Sequence, residues 1–337
     1  MLWYEYKNTS AAVSTRVRLA RNLDGIPFPS HLSIQKLREV NRNICNAVLS
    51  CDLDGIKLRE ISMETLGEPE AYAMVERHCI SPKFASCRDG RILLMSDDES
   101  VSIMIGEEDH LRIQVLRPGE CLNEAYELCS KIESRIGEKL NFAFDKRLGY
   151  LTECPTNLGT GMRASVMLHL PVLESTGELR SIAETVGKIG LTFRGFYGEG
   201  SDSKASVYQL SNQITLGVSE QSAIDNLRNI ASQIITKEAD ALKCFDTSSL
   251  EDSVCRSFGI LKYARRITTE EMMKHLSRMM LGERAGVIKL PENVTLMSIF
   301  INMQPAMIKR IKGDISPNER DQYRAEFLRK TFSEVEL

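Results

Sequence analysis

Residues 154 to 171 read CPTNLGTGMRASVMLHLP. The stretch begins with Cys154 and a proline, and its asparagine and two glycines are residue types that favour turns. Arg163 then leads into alternating apolar residues up to Leu170, a pattern that predicts a β-strand ending at Pro171. A thiol, a glycine-rich turn and an arginine at the start of a strand together predict a functional site.

Two other interpretations of this stretch carry less weight. Most cysteines are inert packing residues, and Gly-x-Gly turns are common. Residues 159–164 also fit the dinucleotide-binding fingerprint with alanine in the last place, but that fingerprint follows an apolar strand and opens a helix. Here Thr152, Glu153 and Cys154 precede the glycines and a strand pattern follows, so a dinucleotide site is disfavoured.

The bulk composition is that of an ordinary soluble protein with room for two domains. The chain has 337 residues, of which 42% are hydrophobic and 26% charged, and its net charge is −3. This charge gives no support to binding of nucleic acid or of an anionic membrane, and no apolar run approaches a membrane span. Nine cysteines without a Cys-x-x-Cys pair argue against zinc and disulfides. We expect a cytoplasmic protein.

Periodicity predicts an α+β fold with a largely antiparallel sheet flanked by helices. Residues 33–50 have apolar side chains at helical spacing, and a second, interrupted helix is expected over 62–76. Short strands are predicted at 91–96, 100–106 and 111–116, with turn residues between them. Strands separated by short turns are typical of antiparallel pairing.

Beyond residue 243 strand patterns nearly vanish and helix signals dominate. Thr268 with Glu271, and Ser316 with Glu319, read as capping boxes at helix starts. We therefore predict two domains. Residues 1–242 form a catalytic domain whose reduced N-terminal helical part covers about 1–75, and residues 243–337 form an all-helical module.

Several arginines could hold a polyphosphate. No Gly-x-x-x-x-Gly-Lys-Ser/Thr loop and no protein-kinase signature is present, so a nucleotide's phosphates would be bound in another way. Arg16 and Arg18 point to one side of an extended segment, although a solvated basic strand is the alternative. Arg112, Arg163 and Arg194 also lie at loop or strand ends. Such a cage, with a magnesium ion, would stabilise a transferring phosphoryl group.

Acidic residues in two loops suit a guanidinium acceptor. A guanidinium stays protonated and planar, so an enzyme must hold it with carboxylates and remove a proton as it attacks. Glu108, between two other acids, and Glu199, in a glycine-rich loop, are the candidates. A thiolate at Cys154 would add negative charge beside the acceptor. The acidic turn could instead serve solubility alone.

Taken together and in order, these motifs resemble those of the phosphagen (guanidino) kinases, the family of creatine and arginine kinases, over residues 13 to about 242. The resemblance implies an antiparallel sheet flanked by helices, ATP as phosphate donor, and Mg²⁺ that arrives with ATP and not on protein side chains. It implies Glu108 and Glu199 as catalytic carboxylates and Cys154 as the reactive cysteine. The implied ATP-binding residues are Thr15, Arg16, Val17, Arg18, Leu19, His78, Arg112, Arg163, Ala164, Ser165, Val166, Met167, Arg194, Gly195, Phe196, Tyr197, Gly198 and Glu199.

Two departures from creatine and arginine kinases indicate which branch of the family this chain resembles. Only fourteen residues precede Thr15, so the helical domain that comes first in those enzymes is missing or much reduced. The chain also continues for nearly a hundred residues after the catalytic part. There Arg320, Asp321 and Arg324 resemble the RDxxRA phosphoarginine-binding motif of the bacterial, McsB-type protein arginine kinases. The two arginines are four positions apart, so they lie on one face of a helix. Both could donate hydrogen bonds to a phosphate while Asp321 accepts from the guanidinium of the same ligand. The alternative is a solvated surface pair.

The resemblance implies a kinase that transfers the γ-phosphate of ATP to arginine side chains of proteins. It further implies a stress response in which phosphoarginine marks proteins for a Clp protease, an activator protein of McsA type, a homodimer built on the helical module, and allosteric binding of phosphoarginine. Two alternatives stay open, which are a kinase acting on a small guanidino metabolite and a non-catalytic phosphoarginine-binding protein. The presence of Glu108, Glu199 and Cys154 argues against the second.

Overall fold

The computed structural model describes residues 1–7, 9–195 and 205–335. The strands are β1 (Ala12–Arg21), β2 (Leu58–Ser62), β3 (Ile92–Ser96), β4 (Val101–Ile105), β5 (Leu111–Pro118), β6 (Phe144–Asp145), β7 (Gly149–Tyr150), β8 (Met162–His169), β9 (Leu191–Gly195) and β10 (Val207–Asn212). The α-helices are α1 (Ile34–Leu49), α2 (Glu68–Glu76), α3 (Pro82–Ser86), α4 (Leu122–Gly137), α5 (Pro171–Ser175), α6 (Leu179–Lys188), α7 (Glu220–Lys243), α8 (Thr247–Tyr263), α9 (Thr269–Arg284), α10 (Leu296–Asn302), α11 (Pro305–Lys312) and α12 (Pro317–Phe332).

Eight strands form one sheet in the order β2-β3-β4-β5-β1-β8-β10-β9, and every neighbouring pair is antiparallel. The predicted α+β class with a largely antiparallel sheet is therefore confirmed. β1 lies near the middle of the sheet, between β5 and β8. The glycines at 159 and 161 precede strand β8 and not a helix, which removes the structural context that a dinucleotide fingerprint requires.

One face of the sheet is apolar and packs on helices. In β1, Val17 and Leu19 are fully buried, as are Ile113 of β5 and Val166 of β8. They belong to one core with apolar residues of α1, α4 and α7. Burial of each such side chain contributes roughly 1.5–3 kcal/mol, so this face stabilises the sheet. Side chains alternate between faces along a strand, so the opposite face is left for other residues.

The region 62–76 differs from its predicted interrupted helix. Residues 58–62 form the edge strand β2, which pairs with β3, and α2 begins only at Glu68. Gly67 is the helix N-cap and Pro69 follows within the first turn, where a missing N–H costs nothing. β2 has no strong apolar alternation because its side chains are half-buried or exposed, and this explains why the sequence pattern did not reveal it.

Five helices, α8–α12, make up the chain beyond residue 246, as the helix signals predicted. Residues 244–246 separate α7 from α8. The apolar side chains of these helices share a core with Trp3, Tyr4 and residues from one end of the sheet. Residues 1–75 hold α1 and most of α2, but also the strands β1 and β2. Among the described residues, no helix combines the length and apolar character needed to cross a bilayer.

Two partly or fully buried carboxylates fasten the helical module to the rest of the chain. Glu76, the last residue of α2, accepts hydrogen bonds from the backbone N–H groups of Ala306 (2.9 Å) and Met307 (2.8 Å). These N–H groups belong to the first turn of α11, where a helix has no internal acceptors for them. Glu238 of α7 pairs with Arg284 of α9 at 3.0 Å. A carboxylate at a helix N-terminus is stabilising, so α2 caps α11.

The capping carboxylate predicts a pH dependence of stability. Burial raises the pKa of Glu76 from its ordinary value of 4.5 to about 7, against the opposing effect of the two N–H donors. Because the folded state binds this proton more tightly than the unfolded state, the free energy of unfolding should fall as pH rises from 4.5 through 7. We expect the stability advantage of wild type over Glu76→Gln to shrink by on the order of 2 kcal/mol between pH 5 and pH 8, measured by urea unfolding.

A control is available between the same two helices. Glu70 of α2 pairs with Arg310 of α11 at 2.7 Å and is partly exposed. Glu70→Gln is measured in parallel, and a pH-dependent difference is assigned to Glu76 only where it exceeds that of this variant. Parallel stability curves for wild type and Glu76→Gln would contradict the raised pKa of Glu76.

Candidate active site

The register of β1 with its neighbours brings arginines to the face opposite the apolar core. Arg18 lies directly opposite Arg163 of β8, and Ala20 lies opposite Arg112 of β5. Paired residues of antiparallel strands project to the same side, and so do residues two apart in one strand. Arg16, Arg18, Arg112 and Arg163 therefore share one face, which we call the arginine face.

A fifth arginine reaches this face from the other side of β8. Gln209 of β10 lies opposite Arg194 of β9 and opposite Met167 of β8. The Gln209 Oε1 atom accepts a hydrogen bond of 3.1 Å from Arg16 Nη2, which places Gln209 on the arginine face. Arg194 is exposed at this edge. All five arginines predicted to hold phosphate are thus gathered by the sheet.

Arg16 and Arg18, at the centre of the arginine face, are buried cations that lie close to other cations, with Glu107 as a nearby opposite charge. Burial and then the charge of Arg112 lower the pKa of Arg16 to about 10. Burial and the charges of Arg16, Arg112 and Arg163 lower the pKa of Arg18 well below its ordinary value. Among the described residues, none accepts a hydrogen bond from Arg18 Nε, which is shielded from solvent. Such a site favours a multiply charged anion, which would relieve the mutual repulsion.

Arg163 and Arg112, the other two arginines near the centre of this face, form hydrogen bonds and ion pairs with neighbouring residues of the protein. Arg163 donates from Nε to Asn157 Oδ1 (3.1 Å), and from Nη2 to the carbonyl oxygen (3.1 Å) and the hydroxyl (3.0 Å) of Thr156. Arg112 forms a short ion pair with Glu107, and its Nη2 lies 3.4 Å from Glu108 Oε2. The arginine face therefore combines anchored cations with the more open pair Arg16 and Arg18.

The acidic turn before β5 is not a solvated loop. Glu107 and Asp109 are buried, and only Glu108 is partly exposed. Glu107 makes a short hydrogen bond with the Ser81 hydroxyl in addition to its ion pair with Arg112. The interpretation of this turn as a device for solubility fails for two of its three acids. Glu108 is the acid that remains open beside the arginine face.

Asp109 and Asn22 join this turn to the segment before Cys154, a link that no sequence pattern predicted. Asp109 Oδ1 accepts hydrogen bonds from Asn22 Nδ2 (2.6 Å) and from the backbone N–H of Glu153 (3.0 Å). Asn22 Oδ1 accepts one from the backbone N–H of His110. The partners lie 87, 44 and 88 positions apart in sequence, so no local pattern could reveal them. They fix the Cys154 loop relative to Glu108.

Cys154 begins a loop that packs tightly under the arginine face. Its Sγ atom lies 3.1 Å from Thr156 Oγ1, and its side chain is half-buried. Gly159 has a φ of +108°, and a Cβ there would come within 2.2 Å of the Thr215 carbonyl oxygen, so only glycine fits. Burial lowers the pKa of Arg163, and the nearby charge of Cys154 opposes that shift. The thiol therefore lies within electrostatic reach of the arginine face.

Glu108 and Arg194 act on Arg163 as well. The charge of Arg194 lowers the pKa of Arg163, and that of Glu108 raises it, both less than burial does. The structure thus brings Glu108, Cys154, Arg163 and Arg194 into one neighbourhood. A carboxylate and cations are parts that transfer of a phosphoryl group to a guanidinium uses, and a thiolate beside them would add negative charge near the acceptor.

His78 lies at the border of the arginine face. Its backbone has a φ of +65°, in the left-handed region that is uncommon for residues other than glycine. Its carbonyl oxygen accepts a 2.8 Å hydrogen bond from Gln114 Nε2, and Gln114 lies opposite Arg18 in the sheet. Burial and the charge of Arg16 lower the pKa of His78 to about 3, so its imidazole is neutral at neutral pH.

Not every predicted ATP-binding residue presents its side chain here. Val17, Leu19, Ala164 and Val166 pack in the apolar core on the opposite face, and the Thr15 hydroxyl on that face donates to the Gly119 carbonyl oxygen. These residues place the strands and do not line the arginine face. Ser165 and Met167 lie on the arginine face, opposite Arg16 and Ser14. Gly195 ends β9 and is buried. Outside the described residues lie Phe196, Tyr197, Gly198 and Glu199.

Contrary to the sequence prediction, Arg324 is not available to bind a phosphate together with Arg320. Its side chain is fully buried about two turns into α12, where Nε donates to the Met303 carbonyl oxygen (3.0 Å). Its Nη1 donates to the carbonyl oxygen of Ile267 and to Asp321 Oδ1, and its Nη2 donates to Thr269 Oγ1. Arg324 is therefore neither a solvated surface residue nor an open phosphate ligand, and it fixes Asp321.

Arg320 and Asp321 are partly exposed beside this buried group. Arg320 Nη1 donates to the Ile315 carbonyl oxygen at 3.0 Å. The predicted capping box is present, because Ser316 Oγ accepts from the Glu319 N–H and Glu319 Oε2 accepts from the Ser316 N–H. Two of the three motif residues thus face outward at the N-terminal end of α12, on a helix start that the sequence located correctly.

The Asn22–Asp109 link predicts a local change in hydrogen exchange. Asp109→Ala removes the acceptor of the Glu153 N–H, and a hydrogen bond to a charged group is worth about 1.5–3 kcal/mol. We expect the peptide covering 151–154 to exchange its amides roughly ten- to hundredfold faster, as measured by mass spectrometry.

The matched control is Asp145→Ala. Asp145 accepts from the backbone N–H groups of Arg147 and Leu148 in the neighbouring turn, and is exposed. This variant should leave exchange at 151–154 unchanged. If Asp109→Ala also leaves it unchanged, Asp109 does not position the Cys154 loop.

Comparison with known proteins identifies the family of this chain. Residues 39–241 match the ATP:guanido phosphotransferase C-terminal catalytic domain, and residues 247–337 match the protein-arginine kinase McsB C-terminal domain. The protein-arginine kinase of Halothermothrix orenii is 43% identical over 94% of this chain and 91% of its own length. That of Bacillus subtilis is 40% identical over 96% and 92%.

Solved structures with a similar fold are also guanidino kinases. A lombricine kinase superimposes with a TM-score of 0.62 at 26% identity, over 72% of this chain and 70% of its own. A duplicated taurocyamine kinase from Schistosoma mansoni gives a TM-score of 0.61 at 28% identity, over 68% of this chain and 33% of its own. The chain therefore belongs to the ATP:guanido phosphotransferase family, among the protein-arginine kinases, a family whose phosphate donor is ATP.

Proposed function

We propose that this enzyme transfers the γ-phosphate of MgATP to arginine side chains of proteins. The observation that carries the proposal is the central pair Arg16 and Arg18. Their guanidinium groups lie among further arginines, and among the described residues none accepts a hydrogen bond from Arg18 Nε. A triphosphate supplies the missing negative charge, and its transfer needs little beyond positioned cations.

The acceptor side of the site rests on Glu108 and Cys154. Glu108 is partly exposed and lies 3.4 Å from Arg112, so its carboxylate is fixed at the border of the arginine face. A carboxylate there can hold the acceptor guanidinium by charge-assisted hydrogen bonds and take its proton as the N–P bond forms. Glu199 is proposed as the second carboxylate, from its motif. Mg²⁺ would arrive with ATP and neutralise phosphate charge.

The proposal of a protein acceptor rests on the relatives that share nearly the whole chain. Those relatives carry the name protein-arginine kinase and match both the catalytic part and the helical module. A small guanidino compound is the second candidate, because the solved kinases of similar fold are named for lombricine and taurocyamine. A non-catalytic phosphoarginine-binding protein is disfavoured, since Glu108 and Cys154 flank the arginine face.

The proposed setting is protein quality control in the cytoplasm. All nine cysteines are free, which fits a reducing compartment. In this setting phosphoarginine would mark proteins for a Clp protease during stress, under control of an activator protein of McsA type. The two-domain division near residue 243 and a homodimer built on α8–α12 are part of the same proposal. They rest on the resemblance of this chain to the McsB-type kinases.

Phosphoarginine is proposed to bind at Arg320 and Asp321 as a regulatory ligand. Arg320 would contact the phosphate and Asp321 the guanidinium, while buried Arg324 holds Asp321 through their 2.7 Å ion pair. The partial positive charge of the α12 N-terminus favours the phosphate. In the kinase assay described next, added phosphoarginine should change the rate of wild type but not of Arg320→Ala. An equal response of both proteins would exclude this site.

The decisive experiment offers both acceptors at once. Incubation with ATP, casein and free arginine, followed by phosphosite mapping, should show phosphate on protein arginines far sooner than on free arginine. Glu108→Gln should slow transfer by about 10²–10⁴-fold, as for lost acid–base catalysis, with ATP binding largely kept.

Glu138→Gln is the control, because this acid is exposed at the end of α4. Faster phosphorylation of free arginine would support the small-molecule candidate instead. Wild-type rates in Glu108→Gln would remove Glu108 from the mechanism.

A further inference from the structure

Exposed apolar side chains are concentrated around the Cys154 loop. The described residues include thirteen large apolar side chains that are exposed. Five of them belong to two short segments that are hydrogen-bonded to residues 155–161: Phe144, Leu148, Ile214, Leu216 and Val218. We call these five residues the apolar rim. Single exposed apolar residues are ordinary, but a group of them beside a site indicates an interaction surface.

One side of the rim is the segment 214–218 between β10 and α7. The Thr215 hydroxyl donates to the carbonyl oxygens of Thr156 (3.1 Å) and Leu158 (2.7 Å), and the Thr215 carbonyl oxygen accepts from the Thr160 N–H (3.0 Å). Thr215 therefore points into the loop. Its neighbours Ile214 and Leu216 are 49% and 47% exposed, so both project toward solvent.

The other side of the rim is the hairpin of β6 and β7. Tyr150 of β7 exchanges two backbone hydrogen bonds with Gly159, at 2.8 and 3.3 Å. Phe144 is 59% exposed and rests against the Tyr150 ring with 5.2 Å between centroids. Leu148, in the turn, is also exposed. The loop that begins at the candidate reactive thiol thus has exposed apolar residues on both flanks.

We propose that the apolar rim binds apolar side chains that flank the acceptor arginine in an unfolded protein segment. This rests on the proposed protein acceptor. When an arginine of a chain enters the site, residues within three positions of it lie within about 10 Å along the backbone. A substrate backbone that passes over the Cys154 loop then meets the flanks of this loop. A free guanidino metabolite would leave the rim uncovered.

The chemistry of the rim defines the class of segment it selects. Apolar residues close to an arginine are mostly buried in a folded protein and become accessible on unfolding. A rim of five apolar side chains therefore favours segments from unfolded or damaged proteins over arginines on polar surfaces. Each apolar contact removed from water strengthens binding, and we expect about a tenfold preference from one good contact.

The test compares two peptides that each contain one arginine. One peptide has leucine or phenylalanine two positions to either side of the arginine, and the other has serine and glycine there. Wild type should phosphorylate the apolar peptide with a kcat/KM about tenfold higher. The double variant Ile214→Ser with Leu216→Ser should lose that preference, while its kcat/KM for the serine–glycine peptide and its KM for ATP stay unchanged.

Two further variants test whether the preference depends on the apolar rim and not on exposed apolar residues elsewhere. Phe144→Ser changes the opposite flank and should reduce the preference independently. Tyr263→Ser with Ile311→Ser replaces two exposed apolar residues, 71% and 56% accessible, of α8 and α11, and should keep the full preference. An unchanged preference in both rim variants would overturn the proposal.

Other outcomes distinguish failure of the apolar-rim proposal from failure of the proposed function. Equal phosphorylation of both peptides by wild type would overturn the apolar rim while leaving protein arginine as acceptor. Faster phosphorylation of free arginine than of either peptide would overturn the proposed function as well. If the rim variants change the sedimentation coefficient of the enzyme, the rim is a contact between two copies of the chain and not a docking surface for substrate.

Discussion

The antiparallel pairing of β1 between β5 and β8 is the constraint on which the site depends. It places Arg18 opposite Arg163 and, two residues on, Ala20 opposite Arg112. Burial first, and the like charges of neighbouring arginines second, lower the pKa values of Arg16 and Arg18, and both effects make this arrangement of cations costly. The apolar residues on the other face of the same strands offset this cost by burial. The sheet thus holds an unfavourable cluster of cations in place for an anion.

The arginines of this chain divide into those that build the structure and those that are open to a ligand. Arg163 and Arg324 use most of their donors on backbone oxygens and side chains of the protein. Arg21 does the same, with Glu133 at 2.9 Å and its guanidinium over the Tyr150 ring. Arg16 and Arg18 lie between such anchored groups. Rigid neighbours reduce the entropy that the open pair loses when it binds phosphate.

The helical module is joined to the arginine face through a short path. Glu76 caps α11, and Arg77, the next residue, forms a buried ion pair with Glu99. His78 follows at once in a left-handed conformation beside Arg16. The buried Arg324 holds the Met303 carbonyl oxygen, two residues before α11. The start of α12 is therefore connected to the arginine face by a continuous series of contacts.

Sequence patterns located most strands from short apolar runs between turn residues, and located the arginines from alternation in one extended segment and from their positions at loop or strand ends. The same patterns could not find β2, whose edge position leaves it without an apolar face. Helical spacing placed Arg320 and Arg324 on one face of α12 but could not say that this face turns Arg324 into the interior. The link between Asn22 and Asp109 spans 87 positions and depends on the complete fold. Local sequence patterns predict helices and strands. The residues whose roles they did not predict all depend on contacts between distant parts of the chain.

Calorimetric titration of MgATP into Arg18→Met tests the central claim most directly. Arg59→Met, on the exposed edge strand β2, serves as control. If the arginine face binds the phosphates, Arg18→Met should weaken ATP about ten- to hundredfold, the loss of one charge-assisted hydrogen bond, and the control should bind normally. The stability of Arg18→Met should not fall, because the substitution removes a buried cation whose Nε has no acceptor within residues 1–7, 9–195 and 205–335. Unchanged ATP affinity in Arg18→Met would contradict the account.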